Sequence, residues 1–264
     1  MHLKRWLTAI IAVPALVFIV GYGPKWGFLA LLCAAAIVGM FECYSLTDTK
    51  PPRSFLVWNM LLTIALFSAL ALRQFFFIPV LIWFYALFPM ALSVFEHTPP
   101  GETITVRTAK GVFGSIYVSL PLVLLSLIYF RPLGRAWVFF LLLVVFAGDT
   151  GAFYAGKALG KHKLHPRVSP GKTWEGAVGG WLGSLIVALV FLIFIPLRPL
   201  NLQVLALVTL LSAAAQIGDL AESLLKRNHG IKDSGHILPG HGGILDRIDG
   251  LLFAIPILFV YLLW

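Results

Sequence analysis

The chain has 264 residues, of which 59% are hydrophobic and 12% charged, against the roughly 25% charged residues usual in soluble domains. That balance excludes a soluble globular protein, and the formal net charge of +9 then has only short loops beside lipid headgroups to occupy. A nucleic-acid role is excluded with it, because no basic, aromatic-studded soluble surface is left to grip a polymer.

A membrane crossing needs about 17 to 25 apolar residues, and nine such stretches follow one another at 6–22, 26–46, 55–72, 75–95, 111–130, 136–156, 174–197, 201–222 and 246–264. The expected fold is all-α: one polytopic integral membrane domain over 1–264, with 1–147 as scaffold spans and 148–249 as the motif-bearing region. Trp6, Trp26, Trp137, Trp174 and Trp264 fall near span ends, where an amphipathic ring prefers to sit. The first stretch has Lys4 and Arg5 ahead of an apolar run from Leu7 to Val20, with no convincing small-residue cleavage site behind it, so it reads as an uncleaved span. Cys33 and Cys43 share the second stretch. About 15 Å of helix rise separates them, beyond the roughly 7 Å that a disulfide tolerates, so both read as packing residues. Pro14, Pro79, Pro89, Pro121, Pro196 and Pro256 lie in or near spans, where proline kinks or bounds a helix.

Alternate loops collect basic residues unequally. The side of the N-terminus receives fifteen of the 20 Lys and Arg, and the other receives only Lys25, Arg73, Arg131, Arg135 and Arg198. The positive-inside rule therefore puts the N-terminus in the cytoplasm and, with nine spans, the C-terminus outside.

Asp149, Asp219, Asp246 and Asp249 lie within or at the edges of the last spans. An aspartate in hydrocarbon costs about 2.5–3.5 kcal/mol on insertion scales, so each needs a partner or a metal. The alternating topology brings all four to the cytoplasmic half of the bilayer. Asp246 and Asp249, like Asp219 and Glu222, are spaced to share one helix face. Clustered carboxylates suit Mg²⁺, which takes one or two of them and keeps its other positions for water and phosphate oxygens. An ion or proton path, or acids paired with Lys and Arg between helices, fits the same spacing.

Two loops face that layer. The first, Lys157 to Lys172, runs into SPGKTWEG from Ser169 to Gly176. Its GKT is not a P-loop, because Pro166 stands where GxxxxGKT needs glycine and no strand is expected before it. What remains is a Gly and Lys segment opening a helix, with Thr173 as N-cap and Lys172 available to an anion or to anionic lipid. The second loop, Lys232 to Asp249, carries Gly240, Gly242 and Gly243, which let several backbone N–H groups approach one anion. Lys226, Arg227, Lys232 and Arg247 surround it. His241 could donate to a phosphate or make a structural hydrogen bond. His162, His165, His229 and His236 show no ligand spacing. Gly179 and Gly183 read as a close helix contact.

The run SLLKRNHGIKDSGHILPGHGGILDRID, Ser223 to Asp249, closely resembles the signature of the phosphatidate cytidylyltransferase (CDP-diacylglycerol synthase) family. Ser223, Lys226, Arg227, Lys232, Asp233, Gly235, His241, Gly242, Gly243, Asp246, Arg247 and Asp249 occupy matching places, and GDTGAF from Gly148 to Phe153 also resembles a family segment. The resemblance implies condensation of CTP with phosphatidic acid to CDP-diacylglycerol and pyrophosphate, dependent on Mg²⁺, in a multi-span helical homodimer. It implies metal binding by Asp219 and Asp246. Asp249 and Asp149 are further candidate ligands. Lys226 and Arg227 join those two aspartates as candidate catalytic residues. Ser169, Lys172, Lys232, His241, Gly242, Gly243 and Arg247 are the candidates for substrate binding. A transporter would share the acids and broken helices but has little use for a basic, Gly-rich loop beside them. A CTP-using polyprenol kinase would have a loosely similar membrane site, and the DGxxAR motif of the CDP-alcohol phosphotransferases does not occur.

Overall fold

The computed structural model describes residues 2–46, 52–95, 102–231, 234–235 and 242–264. Within them run α1 (His2–Gly21), α2 (Lys25–Ser45), α3 (Arg53–Ala71), α4 (Phe77–Phe95), α5 (Glu102–Gly114), a π-helical turn (Ser115–Ser119) and α6 (Leu120–Tyr129). They are followed by α7 (Gly134–Leu159), a hairpin of β1 (Lys163–His165) and β2 (Ser169–Thr173), α8 (Trp174–Phe194), α9 (Leu202–Asn228) and α10 (Leu245–Tyr261). The π turn joins α5 to α6 without a break, so each of the nine expected spans coincides with one helical rod. Among the described residues seven stretches are long and apolar enough to cross a membrane, while the apolar part of α1, Ile10–Gly21, and the 17-residue α10 are shorter. Apart from the short hairpin the chain is helical, a multi-pass membrane protein of the all-α class.

Several boundaries move outward from the expectation, among them the start of α5 at Glu102 instead of 111. Helix α7 runs on to Leu159 and α9 to Asn228. In α9 the extension carries Glu222 and Lys226 one turn apart with their charges 2.6 Å apart, and it sets Lys226 and Arg227 at the C-terminal end, where the helix dipole favours cations.

The segment expected as a basic loop folds in part as an antiparallel hairpin, pairing Lys163 with Thr173 and His165 with Ser169. It ends directly in α8: Thr173 is extended, and its hydroxyl accepts from Gly176 N at 3.1 Å, the expected N-cap. Glu175 accepts from His162 N, and His162 Nδ1 lies 2.6 Å from Glu175 Oε1, so the strand entry and the first turn of α8 are tied together.

Apolar side chains gain little by leaving lipid for protein, so helices in a bilayer associate where backbones approach closely. Among the described residues the α7–α8 contact is the most extensive, and glycine makes it possible. A Cβ on Gly151 would stand 2.5 Å from Gly179 O, and one on Gly183 would stand 2.8 Å from Ala147 O. The wider core is filled by Phe28, Met40, Ile128, Phe140, Leu211 and Ile255.

The π turn has a local cause. Pro121 offers no N–H to the carbonyl of Tyr117, and its ring crowds that carbonyl, so the helix widens over Ser115–Ser119 before α6 resumes. At the far end of the rods the arginines serve helix termini. Arg135 donates to Gly21 O at 2.8 Å and Gly23 O at 3.1 Å, satisfying carbonyls at the end of α1 that have no partner within the helix.

Candidate active site

Lys172, at the end of β2, points across the start of α8 to α9, where its ammonium lies 2.7 Å from Asp219 Oδ2. The hairpin and the ends of α7, α8 and α9 enclose a cavity of about 420 Å³ lined by Asp149, Ser169, Lys172, Thr173, Gln216 and Asp219. Gln216 is aimed by its bonds to Ala177 O at 3.1 Å and Ser212 Oγ at 3.3 Å. Gly171 has open space where a side chain would stand. The predicted residues Asp149, Ser169, Lys172 and Asp219 are thus gathered on one surface from three separate elements.

A second cluster lies at the start of α10. Lys226 Nζ bridges two carboxylates, 2.6 Å from Glu222 Oε2 and 2.7 Å from Asp246 Oδ1. Asp246 also accepts from Gly243 N at 2.8 Å and Ser234 N at 3.0 Å. Gly242 has φ +79, a left-handed conformation natural to glycine, and a Cβ there would stand 2.6 Å from Asp246 Oδ2. Gly243 was expected to turn its N–H to a substrate anion. Here that N–H closes a turn onto Asp246 instead.

Asp249 joins the two clusters. Its backbone carbonyl packs against Gly218 of α9, where a Cβ would stand 2.5 Å away, and it is within coulombic reach of Asp219, Glu222 and Lys226. Asp149 in turn is within reach of Asp249, Asp219, Lys172 and Arg247. Five carboxylates therefore share one neighbourhood among the described residues, interleaved with two lysines and Arg247. Glu222 is fully buried, and its Oε1 has no hydrogen-bond partner among the described residues.

Arg227 takes a different part from the one expected. Its Nε donates to Val168 O at 3.3 Å and its Nη1 to Ile231 O at 3.2 Å, so it ties the hairpin turn to the end of α9. Lys232 and His241 lie outside the described residues.

No three His, Cys, Asp or Glu side chains are gathered into a metal cage among the described residues. Mg²⁺ does not require one, since it is held through one or two carboxylates and otherwise by water and phosphate oxygens. The all-oxygen donor set and its excess of negative charge fit that ion.

Two residues of the scaffold half reach this region and escaped the reading of the sequence. Glu42, 4% exposed near the end of α2, accepts from Ile244 N at 3.0 Å and Leu245 N at 2.7 Å. Its signal was available, since it is the sole acid in α2 and an acid in a span marks a site by default. Tyr117, on the π turn, has a buried hydroxyl without a hydrogen-bond partner among the described residues and lies within coulombic reach of Glu222, Asp249 and Asp219. Nothing in the sequence pointed to it, because its direction depends on the widened turn.

The pattern of a family described as the cytidylyltransferase family matches residues 3–264. The chain is 50% identical over 133 residues to a phosphatidate cytidylyltransferase of Staphylococcus saprophyticus, covering 50% of this chain and 51% of that one. It is 51% identical over 134 residues to the protein of that name from Staphylococcus haemolyticus, covering 50% and 51%. The aligned part of the chain spans about half the length of these relatives.

Proposed function

Because the chain belongs to the cytidylyltransferase family, we propose that it condenses CTP with phosphatidic acid to give CDP-diacylglycerol and pyrophosphate for phospholipid synthesis. The observation that carries this reading is the Lys172–Asp219 pair at 2.7 Å on the wall of a cavity shared with Asp149, beside the Lys226 bridge to Asp246. A transferase joining two polyanions needs cations and carboxylates interleaved in this way.

The nucleophile is the phosphate monoester of the lipid. Its second pKa is near 6, so it is largely dianionic at neutral pH and needs no strong general base. An oxygen of the lipid phosphate forms a bond to the α-phosphorus of CTP, and the bond from that phosphorus to the α–β bridging oxygen breaks, releasing pyrophosphate. The barrier lies in bringing the two anions together, so catalysis rests on charge neutralisation and in-line positioning. Lys172 exchanges Asp219 for a substrate phosphate, and Ser169 and Thr173 line the same wall. Lys226 holds Asp246 in place from below. Arg227 fixes the hairpin that presents Lys172. Arg247, Lys232, His241 and Gly242 complete the phosphate-binding set. Asp219 and Asp246 would hold Mg²⁺, with Asp249 and Asp149 as further ligands or supports, and the bound ion supplies charge stabilisation to the phosphates.

The same reading places the protein in the cell inner membrane as a homodimer, with the N-terminus and the active site facing the cytoplasm, where CTP is supplied. The basic loops on the side of the hairpin support that orientation. The test is purified protein in detergent with labelled CTP and phosphatidic acid, with and without Mg²⁺, scored for a labelled lipid. A Mg²⁺-dependent liponucleotide is expected. Pyrophosphate released without a lipid product would identify a hydrolase and overturn the proposal.

A further inference from the structure

We propose that Glu42 is a positioning residue: its buried carboxylate staples both ends of the glycine-rich loop between α9 and α10, and so sets the affinity of the site for the phosphates of the nucleotide. The nucleotide clause rests on the function proposed above. The staple itself does not.

The geometry is specific. Oε1 of Glu42 accepts from Ile244 N at 3.0 Å, and Oε2 accepts from Leu245 N at 2.7 Å and from Ser234 Oγ at 3.3 Å. Those donors come from either end of the loop. They include N–H groups in the entry turn of α10, which have no partner within the helix, and the dipole of α10 favours an anion there. Ser45, one turn further along α2, donates to Glu42 O at 2.7 Å and lies 3.4 Å from Ser234 O, so it packs beside the same residue.

Two glycines admit the carboxylate. A Cβ on Gly235 would stand 2.5 Å from Glu42 Oε1, and one on Gly243 would stand 2.4 Å from Glu42 Oε2. Both ends of the loop therefore lie in van der Waals contact with this one side chain. Gly235 and Gly243 thus have a role of their own, distinct from wrapping an anion.

The staple reaches the candidate site through two residues that touch both carboxylates. Ser234 gives its hydroxyl to Glu42 and its N–H to Asp246, and Gly243 packs on Glu42 while giving its N–H to Asp246. Glu42 thus fixes the frame in which Asp246 and Lys226 stand, from outside the cavity and without touching its walls. An amide at this place would turn an NH₂ group towards backbone N–H donors, leaving at least one buried donor unsatisfied, which costs about 1–3 kcal/mol.

The experiment compares wild type with Glu42→Gln in detergent by two readouts. Amide hydrogen exchange, with no substrate present, is expected to quicken at 244–245 by about tenfold or more in the variant, while α7 and α8 exchange as before. Steady-state kinetics are expected to show KM for CTP raised by about tenfold, with kcat and KM for phosphatidic acid changed by less than about threefold. Unchanged exchange at 244–245 overturns the staple. Quickened exchange with unchanged KM for CTP overturns the link to the nucleotide. Should Glu42→Gln fail to fold, Ser234→Ala keeps the test alive: it removes one of the three bonds and is expected to move both readouts in the same direction by a smaller factor, and no movement overturns the proposal. A wild type that makes no liponucleotide fails the proposed function instead, and the exchange comparison still decides the staple.

Discussion

The ammonium of Lys172 and the carboxylate of Asp219 meet at 2.7 Å across the gap between a surface hairpin and a membrane helix, both partly open to the cavity. The Lys172 nitrogen is buried, but Asp219 keeps 40% of its side chain exposed, so water can replace the lost cation and the value of the pair lies in what it presents to a ligand. Lys172→Ala is expected to leave the melting temperature in detergent nearly unchanged and to raise KM for CTP or phosphatidic acid by about tenfold, the range of a hydrogen bond to a charged group. Unchanged KM for both substrates removes Lys172 from the binding set.

Asp219→Asn and Asp246→Asn keep side-chain size while removing charge. Each is expected to abolish liponucleotide formation in a protein that still elutes as a folded species from size exclusion. Near-normal turnover of either variant at ordinary Mg²⁺ takes that residue out of the proposed metal site.

Lys226 illustrates what sequence spacing could and could not show. Glu222 and Lys226 one turn apart, and Asp246 at the head of the next span, were legible as candidates from charge in an apolar context. That one lysine bridges both acids depends on how α9 and α10 pack, which no local pattern encodes. The nine rods followed directly from hydropathy, because lipid requires every backbone polar group to be satisfied within its own segment. The hairpin was invisible for the opposite reason. Lys163–His165 is three residues long, and its pairing with Ser169–Thr173 rests on a turn and on Arg227 from another helix, not on alternation of apolar side chains. Glu42 was legible as a lone acid in an apolar span, but its partners at the head of α10 lie 202 residues further along the chain, a distance that no local pattern bridges.

Lys226→Met leaves two carboxylates facing each other with their shared cation gone, Glu222 at 0% and Asp246 at 9% side-chain exposure. Breaking a buried pair from one side costs about 3–5 kcal/mol, so the variant is expected to melt well below wild type. The double variant Lys226→Met with Glu222→Gln removes one of the stranded charges and is expected to recover a measurable part of that loss. Equal melting temperatures for the single and double variants would show that Glu222 carries no charge that Lys226 must balance.

The contact between α7 and α8 carries Asp149 on one side and the hairpin exit on the other, so its spacing sets the width of the cavity. A Cβ on Gly179 would stand 2.2 Å from Ala155 Cβ, with Gly151 O next at 3.1 Å. Overpacking of this kind costs about 1–3 kcal/mol, and the helices can relieve it only by moving apart. Gly179→Ala is therefore expected to lower both the melting temperature in detergent and the turnover number. Pairing it with Ala155→Gly deletes the atom responsible for the closest clash while keeping the total volume, so the double variant is expected to regain most of the stability and activity. Loss in the single variant without recovery in the double would place the constraint at the Gly151 carbonyl instead, and no loss in either would show that the helix pair is free to slide.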